Sequence, residues 1–285
     1  MQTVFGIRLG VLLVSLLASA AVWFPSFDPR ANAEYLQVHF LDVGQGDAIF
    51  IQTPDGAEVL IDGGANSAVL AQLSPYMSVF DRQIDMVVGT HPDKDHIGGL
   101  VDVLDRYEVD AVLTTENESD TAVARAYARA TAEEGADVVY ARRGQEFALG
   151  ASTTLRVLFP ETEAADMESN ASSIVLQLVY GETEVLLTGD SPKRIEEYLV
   201  LTQGEYLQSD VLKVGHHGSR TSTSELFLAE VDPQYAVISA GKDNRYGHPH
   251  IEVTDMLFNN RVKIYSTAEE GTVTFYSDGR DVWKD

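Results

Sequence analysis

"HPDKDHIGGL", residues 91–100, places His91, Asp93, Asp95 and His96 within six positions and follows them with two glycines. Such a stretch is either an acidic loop bathed in water or a site built to hold metal, and its surroundings favour the second. Ligand-type residues recur just past apolar strand runs, where a loop leaves a sheet and presents side chains to a crevice. The run at 84–88 leads into His91–His96, and that at 185–187 into Thr188-Gly189-Asp190. The run at 211–214 leads into Gly215-His216-His217-Gly218, and that at 236–238 into a loop ending at His248. With His250 two positions beyond the last of them, six of the seven histidines gather there. The seventh, His39, lies on a strand face opposite Leu36, Val38 and Phe40, with no partner ligands nearby, and reads as structural.

Composition narrows the chemistry. There is no cysteine, so thiolate ligands, catalytic thiols and disulfides are excluded, and histidine and carboxylate remain as the strong metal donors. That donor set suits zinc, manganese or iron and a catalytic rather than a closed structural site. Against 44 Asp and Glu stand 20 Lys and Arg, a formal charge of -24. An acidic body of this kind repels phosphate backbones at long range and excludes a broad duplex-binding face. Lys94, Lys213, Arg220, Lys242 and Arg245 nevertheless fall in the ligand-bearing loops, which predicts a local positive patch.

The 285 residues, 45% of them hydrophobic, suffice for one well-packed domain. Residues 1–33 read as a signal peptide or a single membrane anchor: Arg8 precedes an uncharged run from Leu9 to Phe24, and Ala18-Ser19-Ala20 and Ala31-Asn32-Ala33 offer cleavage sites. Either outcome places residues 34–285 outside the cytoplasmic membrane, attached through the N-terminal segment or secreted. Alternation over 36–40, then apolar runs at 48–51 and 58–61 around Pro54-Asp55-Gly56, predict antiparallel strands at the start of that domain. Ile97, Leu100, Val101 and Leu104 predict a helix directly after the opening motif. Helices are also predicted over 122–134 and 192–201, the latter with Ser191 as N-cap and Pro192 at its first position. Further strands fall at 155–159, 174–179, 262–265 and 272–276. The mixture fits an α/β fold of two central sheets with helices on their outer faces. Arg142 and Arg143 read as solvated cations at a hairpin tip, and Ser224 or Thr223 as the cap of a helix.

The opening motif resembles the metal motif of the metallo-β-lactamase superfamily, usually H-x-H-x-D-H, with Asp93 where its second histidine stands. "FLDVGQGDAIFI" (40–51), "VLIDGG" (59–64), "NASSIVL" (170–176), "LLTGD" (186–190) and "DVLKVGHHGSRTSTS" (210–224) extend the likeness. Together they are similar to the C-terminal metallo-β-lactamase-like domain of ComEC-type DNA-uptake (competence) proteins, over nearly all of Tyr35 to Tyr276. These residues contain no multi-helix membrane channel of the ComEC kind, so the resemblance points to a stand-alone, externally facing relative. It implies a four-layer αββα sandwich, counted as α/β or α+β, for residues 34–285.

The resemblance further implies two divalent ions, zinc or manganese. His91 and Asp93 would serve one, Asp95 and His96 the other, with Asp190 bridging and the HHGS loop adding His217 in preference to His216. Where the superfamily's third motif offers a histidine, this chain has Asn170, Ser172 and Ser173. His248 would complete the second site or give a proton to the leaving group. Asp62 would order the metal loop, Asp47 would orient a ligand, and Lys213 would support the site or face substrate. Asp95, Asp190 and His248 would then carry the hydrolysis of single-stranded DNA or a smaller phosphodiester. Hydrolysis of a lactone, β-lactam or other ester is the alternative chemistry, and a non-catalytic surface binding module the alternative without chemistry.

Overall fold

Strand pairing builds this chain from two similar halves. β1 (Leu36–Phe40), β2 (Ile49–Gln52) and β3 (Glu58–Ile61) form an antiparallel meander, with Val38 opposite Ile51 and Ile51 opposite Val59. β4 (Gln83–Gly89), β5 (Glu108–Thr114) and β6 (Asp137–Tyr140) then add in parallel. The second sheet repeats the scheme. β7 (Glu146–Ala148), β8 (Thr153–Phe159), β9 (Val175–Tyr180) and β10 (Thr183–Leu187) are antiparallel. β11 (Val211–Lys213), β12 (Tyr235–Ile238) and β13 (Lys263–Ser266) follow in parallel. β14 (Val273–Ser277) and β15 (Val282–Lys284) return to the first sheet, giving the orders 15-14-1-2-3-4-5-6 and 13-12-11-10-9-8-7. This computed structural model describes residues 34–78, 81–117 and 119–285. The leader or anchor expected over 1–33 lies outside them, and among the described residues no helix is long and apolar enough to cross a membrane.

Parallel neighbours need crossovers, and these supply the helices. α1 (Ala68–Leu73), α2 (Lys94–Ile97), α3 (Leu100–Arg106) and α4 (Ala122–Glu134) belong to the first half. α5 (Lys193–Gln203), α6 (Glu225–Val231) and α7 (Ile251–Asn259) belong to the second, and the short α8 (Thr267–Glu270) precedes β14. Strand periodicity sends alternate residues to opposite faces. In β9, Leu176 and Leu178 therefore enter a middle core with Phe40, Ile51 and Val157, whereas Val175 enters an outer one with Leu199, Phe227 and Leu257. A third core joins Leu60 and Val87 to Leu100, Val103 and Tyr127. The layers are thus helix, sheet, sheet, helix, each buried large apolar side chain contributing about 1.5–3 kcal/mol.

Several local expectations are corrected. The helix after the opening motif is two pieces, because Gly98-Gly99 lies hard against the 63–66 loop: a Cβ on Gly99 would sit 2.1 Å from the Gly63 carbonyl oxygen. Its buried stripe is Leu100, Val103 and Leu104, with Val101 only half-buried. Ser191 is not a helix cap: extended Pro192 (φ −78°, ψ 161°) occupies that position, and the Ser191 carbonyl instead accepts from Ser222 Oγ at 2.7 Å. Arg142 and Arg143 sit where the chain passes from β6 in one sheet to β7 in the other, not at a hairpin tip. They neutralise Glu116 and Glu161. Between the two proposed caps the structure selects Ser224, whose Oγ accepts from the Phe227 amide at 3.3 Å. β5, β6, β7 and β15 add to the strands expected; the last three are short or largely exposed, with little apolar period to mark them.

Candidate metal centre

One buried carboxylate organises the opening motif. Asp62 follows β3 in the left-handed region (φ 58°) and accepts from the Thr90 amide at 2.9 Å, Thr90 Oγ1 at 2.7 Å and His96 Nδ1 at 2.8 Å. The Thr90 hydroxyl proton is spent on Asp62, so at 3.1 Å Oγ1 accepts from His91 Nδ1. Asp62 therefore sets two imidazoles, one directly and one through Thr90. His217 is set separately, its Nδ1 donating to the Ser239 carbonyl at 2.9 Å with Asp47 Oδ1 at 3.2 Å. The Asp47 amide donates to the Asp95 carbonyl at 3.2 Å, tying the β1–β2 loop to α2. With each Nδ1 hydrogen committed, the Nε2 lone pairs of His91, His96 and His217 all turn inward.

They converge on Asp190. Its Oδ1 lies 3.4 Å from His96 Nε2, and its Oδ2 lies 4.0 Å from His91 Nε2, 3.6 Å from His217 Nε2 and 3.6 Å from His216 Nε2. Asp93 Oδ2 approaches His91 Nε2 at 3.7 Å, and Asp95 Oδ2 approaches His217 Nε2 at 3.5 Å. The two aspartates serve different histidines because Asp93 stands at the N-terminal boundary of α2 while Asp95 lies within its turn. Consecutive left-handed residues, His216 (φ 49°) and His217 (φ 55°), bring both rings of the HHGS loop to one carboxylate. Each such residue costs roughly 1–2 kcal/mol of backbone strain.

The residues present fit divalent metal. His91 Nε2, His96 Nε2, His217 Nε2 and Asp190 Oδ1 are buried without a hydrogen-bond partner. Each orphaned buried group costs about 1–3 kcal/mol, a penalty that a bound cation removes. His91, His96 and Asp190 bring one ligand atom each within 4.8 Å of one another, and so do Asp95, His96 and His217. Imidazole nitrogen and carboxylate oxygen are the donors that zinc, manganese and iron accept.

Charges within the cluster are strongly coupled. Burial pushes His96 down, but Asp190 and Asp62 outweigh it and raise the ring well above the usual histidine range. Burial likewise opposes the rise of His217, but Asp190 and Asp47 overcome it and lift the ring to about 9. Burial, then His96, lowers His91. Asp190 is held well below the carboxylate range, its burial outweighed by His217 and His96. Asp95 is lowered too, with burial overcome chiefly by its contact with His217.

The remaining expected residues fall at the margin. His248 joins none of these groups; its ring stands 5.5 Å from His216 and 6.3 Å from His217. Burial, then His216 and His217, push it down to about 4. Asn170, Ser172 and Ser173 support the site from behind: Asn170 Nδ2 lies 3.4 Å from His216 Nδ1, Ser172 Oγ donates to the Ser169 carbonyl, and Ser173 Oγ accepts from the Asp190 amide. Lys213 is buried and 2.8 Å from Asp47, so it supports the cluster and is withdrawn from the surface patch. Lys94, Arg220, Lys242 and Arg245 are exposed. Sequence reasoning missed Thr90, Ser239 and Ser169, whose Oγ donates to Asp93 Oδ1 at 2.6 Å. Thr90 and Ser239 each follow an apolar strand, the signal that marked the ligands themselves.

A family model described as the metallo-beta-lactamase superfamily matches residues 41–242. The chain is 32% identical over 256 residues to ComE operon protein 3 of Bacillus subtilis, covering 84% of this chain and 33% of that protein. It is 29% identical over 271 residues to competence protein ComA of Neisseria gonorrhoeae, covering 95% of this chain and 36% of that one. The chain thus spans about a third of the length of these curated relatives. Among solved structures, CmlA, a diiron beta-hydroxylase from Streptomyces venezuelae, matches with a TM-score of 0.56 at 16% identity, covering 85% of this chain and 54% of that chain, a likeness of fold.

Proposed function

Because this chain belongs to the metallo-beta-lactamase superfamily, we propose that it is a metal-dependent phosphodiesterase that cuts single-stranded DNA or a smaller phosphodiester outside the cytoplasmic membrane. The convergence of four imidazole nitrogens on Asp190 carries the reading. His91, Asp93 and His216 would hold one ion, and Asp95, His96 and His217 a second, with Asp190 between them. When bound, such ions supply Lewis acidity toward a phosphoryl oxygen and a nucleophile at neutral pH. The chain's own part is preorganisation. Asp62, Thr90, Asp47 and Ser239 fix the imidazoles before substrate arrives, so no reorientation is needed during reaction. Lys94, Arg220, Lys242 and Arg245 lie in the same loops and favour an anionic substrate on an otherwise acidic body. The resemblance to DNA-uptake proteins, with competence proteins among the relatives, favours DNA as that substrate.

A second reading rests on a cavity of about 1190 Å³ that adjoins His91 and Pro92. Its walls include Ile97, Ala124, Ala128 and Val138, and it carries Glu116, Asp120 and Asp166. With Glu116 paired to Arg142 and Asp120 to Arg125, so largely neutralised and part-apolar a lining would admit an uncharged lactone, β-lactam or ester. Turnover of the Mn²⁺- or Zn²⁺-loaded chain on single-stranded DNA, a chromogenic phosphodiester, a lactone and a β-lactam separates the two. Cleavage of the phosphodiesters, abolished in Asp190→Ala, is the expected result; equal activity of variant and parent rejects the assignment.

A further inference from the structure

The loop leading from β12 to α7 is shaped by one side chain. Asn244 Nδ2 donates to the carbonyls of Gly241 at 2.9 Å and His248 at 2.6 Å, while its Oδ1 accepts from the amides of Tyr246 at 3.2 Å and His248 at 3.0 Å. Locked in this way, the loop holds an aromatic ring in the open: Tyr246 is 50% exposed. Large exposed aromatics cost solvation unless something covers them, and this one is held in place. Its ring stacks on His248 at 5.7 Å and 23°, and His248 in turn stands 5.5 Å from His216. Arg245 lies 4.9 Å from the Tyr246 ring centre and donates to its hydroxyl at 2.8 Å. A file of planar groups thus runs from the surface to the metal centre.

Charge singles out the same loop. On a chain of net charge -24, Arg220, Lys242 and Arg245 are exposed and form no ion pair with a carboxylate among the described residues. Asp243 is the one carboxylate within the loop. A half-exposed aromatic ring beside cations that no carboxylate pairs matches a ligand that alternates planar rings with phosphates. A duplex hides its base faces and meets the repulsion of the acidic body, whereas a single strand offers unpaired bases to a local patch.

Resting on the phosphodiesterase reading, we propose that the loop from Gly241 to His250 is a base-stacking platform for single-stranded nucleic acid. Tyr246 receives a base, Arg245 and Lys242 meet the adjoining phosphates, and Asn244 positions the loop. The platform would feed the strand toward Asp190 and give preference to unpaired segments. Base-aromatic stacking is sequence-tolerant, so it selects for strandedness rather than for a particular base.

The test compares affinities of the full Mn²⁺-loaded chain for a short phosphorothioate oligothymidylate and for the same backbone without bases, by fluorescence anisotropy. The parent should prefer the base-bearing strand by about tenfold or more. Tyr246→Ala should erase that preference, and Tyr246→Phe, which keeps the ring, should retain it. Equal affinity of the parent for both strands, no binding of either, or a preference that survives Tyr246→Ala overturns the platform. DNA hydrolysis without base preference sinks the platform and leaves the catalytic reading intact; base preference without hydrolysis does the reverse.

Discussion

The Lys213 ammonium lies 2.8 Å from the Asp47 carboxylate with both side chains shut away from water, and the same carboxylate reaches His217 Nδ1 at 3.2 Å. Burial pushes Asp47 up, but Lys213 and then His217 outweigh it and hold the carboxyl well below its usual range. Breaking such a pair strands a charge in the interior. Lys213→Met should therefore destabilise the fold by roughly 3–5 kcal/mol, read from urea denaturation. An unchanged midpoint would show that the pair contributes nothing.

Asp62 holds two imidazoles at once. In Asp62→Asn the amide nitrogen can face His96 Nδ1, donor against donor, and the Thr90 link to His91 loosens with it. Metal affinity, measured by competition with a chromogenic chelator, should fall about 10- to 100-fold. Affinity equal to the parent's would mean that the first coordination contacts alone orient the rings.

Removing metal should lower thermal stability, since the inward Nε2 atoms of His91, His96 and His217 then have no partner. At a free-ion concentration of about 100 times Kd, binding to the native state alone contributes about 2.7 kcal/mol. Calorimetry with and without chelator reads the difference. A Tm insensitive to chelation contradicts a metal centre at this place.

Glu196 is buried in α5 and accepts from the amides of Thr223 at 2.5 Å and Ser224 at 2.8 Å, fixing the loop after the HHGS turn. Burial pushes its carboxyl up to about 7, against those amides. An acid whose folded-state value is raised binds more protons folded than unfolded between about pH 4.5 and 7, so its contribution to stability falls as pH rises through that window. The parent should lose up to about 3 kcal/mol relative to Glu196→Gln across it. Parallel pH profiles for the two proteins would refute the assignment.

Gly99 and Gly135 separate two uses of glycine. A Cβ on Gly99 meets the carbonyl oxygens of Gly63 at 2.1 Å and Asn66 at 2.5 Å, whereas one on Gly135 (φ 79°) meets nothing within 4 Å. Gly99→Ala should cost about 3 kcal/mol or more, through backbone that must shift. Gly135→Ala should cost only about 1 kcal/mol, through left-handed strain. Denaturation midpoints in the reverse order would refute the close packing of α3 on the 63–66 loop.

Much of the architecture was legible because periodicity reports burial. The alternation of Leu36, Val38 and Phe40 and the helix over 122–134 need only local sequence, and both appear as expected. The turn at 140–145 was misread because a hairpin and a crossover between sheets look alike locally; only the pairing of β6 with β5 and of β7 with β8 separates them. Pro192 took the place assigned to Ser191 because capping depends on a dihedral angle, and Ser191 is drawn instead into contact with Ser222.

For the centre, residue type and position past strand ends were enough to nominate His91, His96, Asp190 and His217, because those chemistries are carried by the side chains themselves. Their partnership was not. Which histidine each carboxylate meets, that Lys213 is spent on Asp47, and that His248 stands outside the cluster depend on loops from both sheets meeting in space, with residues up to 170 positions apart in contact. Sequence determined the donors and the strands that carry them. Tertiary packing decided their pairing, because a hydrogen bond of about 3 Å is a condition on coordinates that no local pattern encodes.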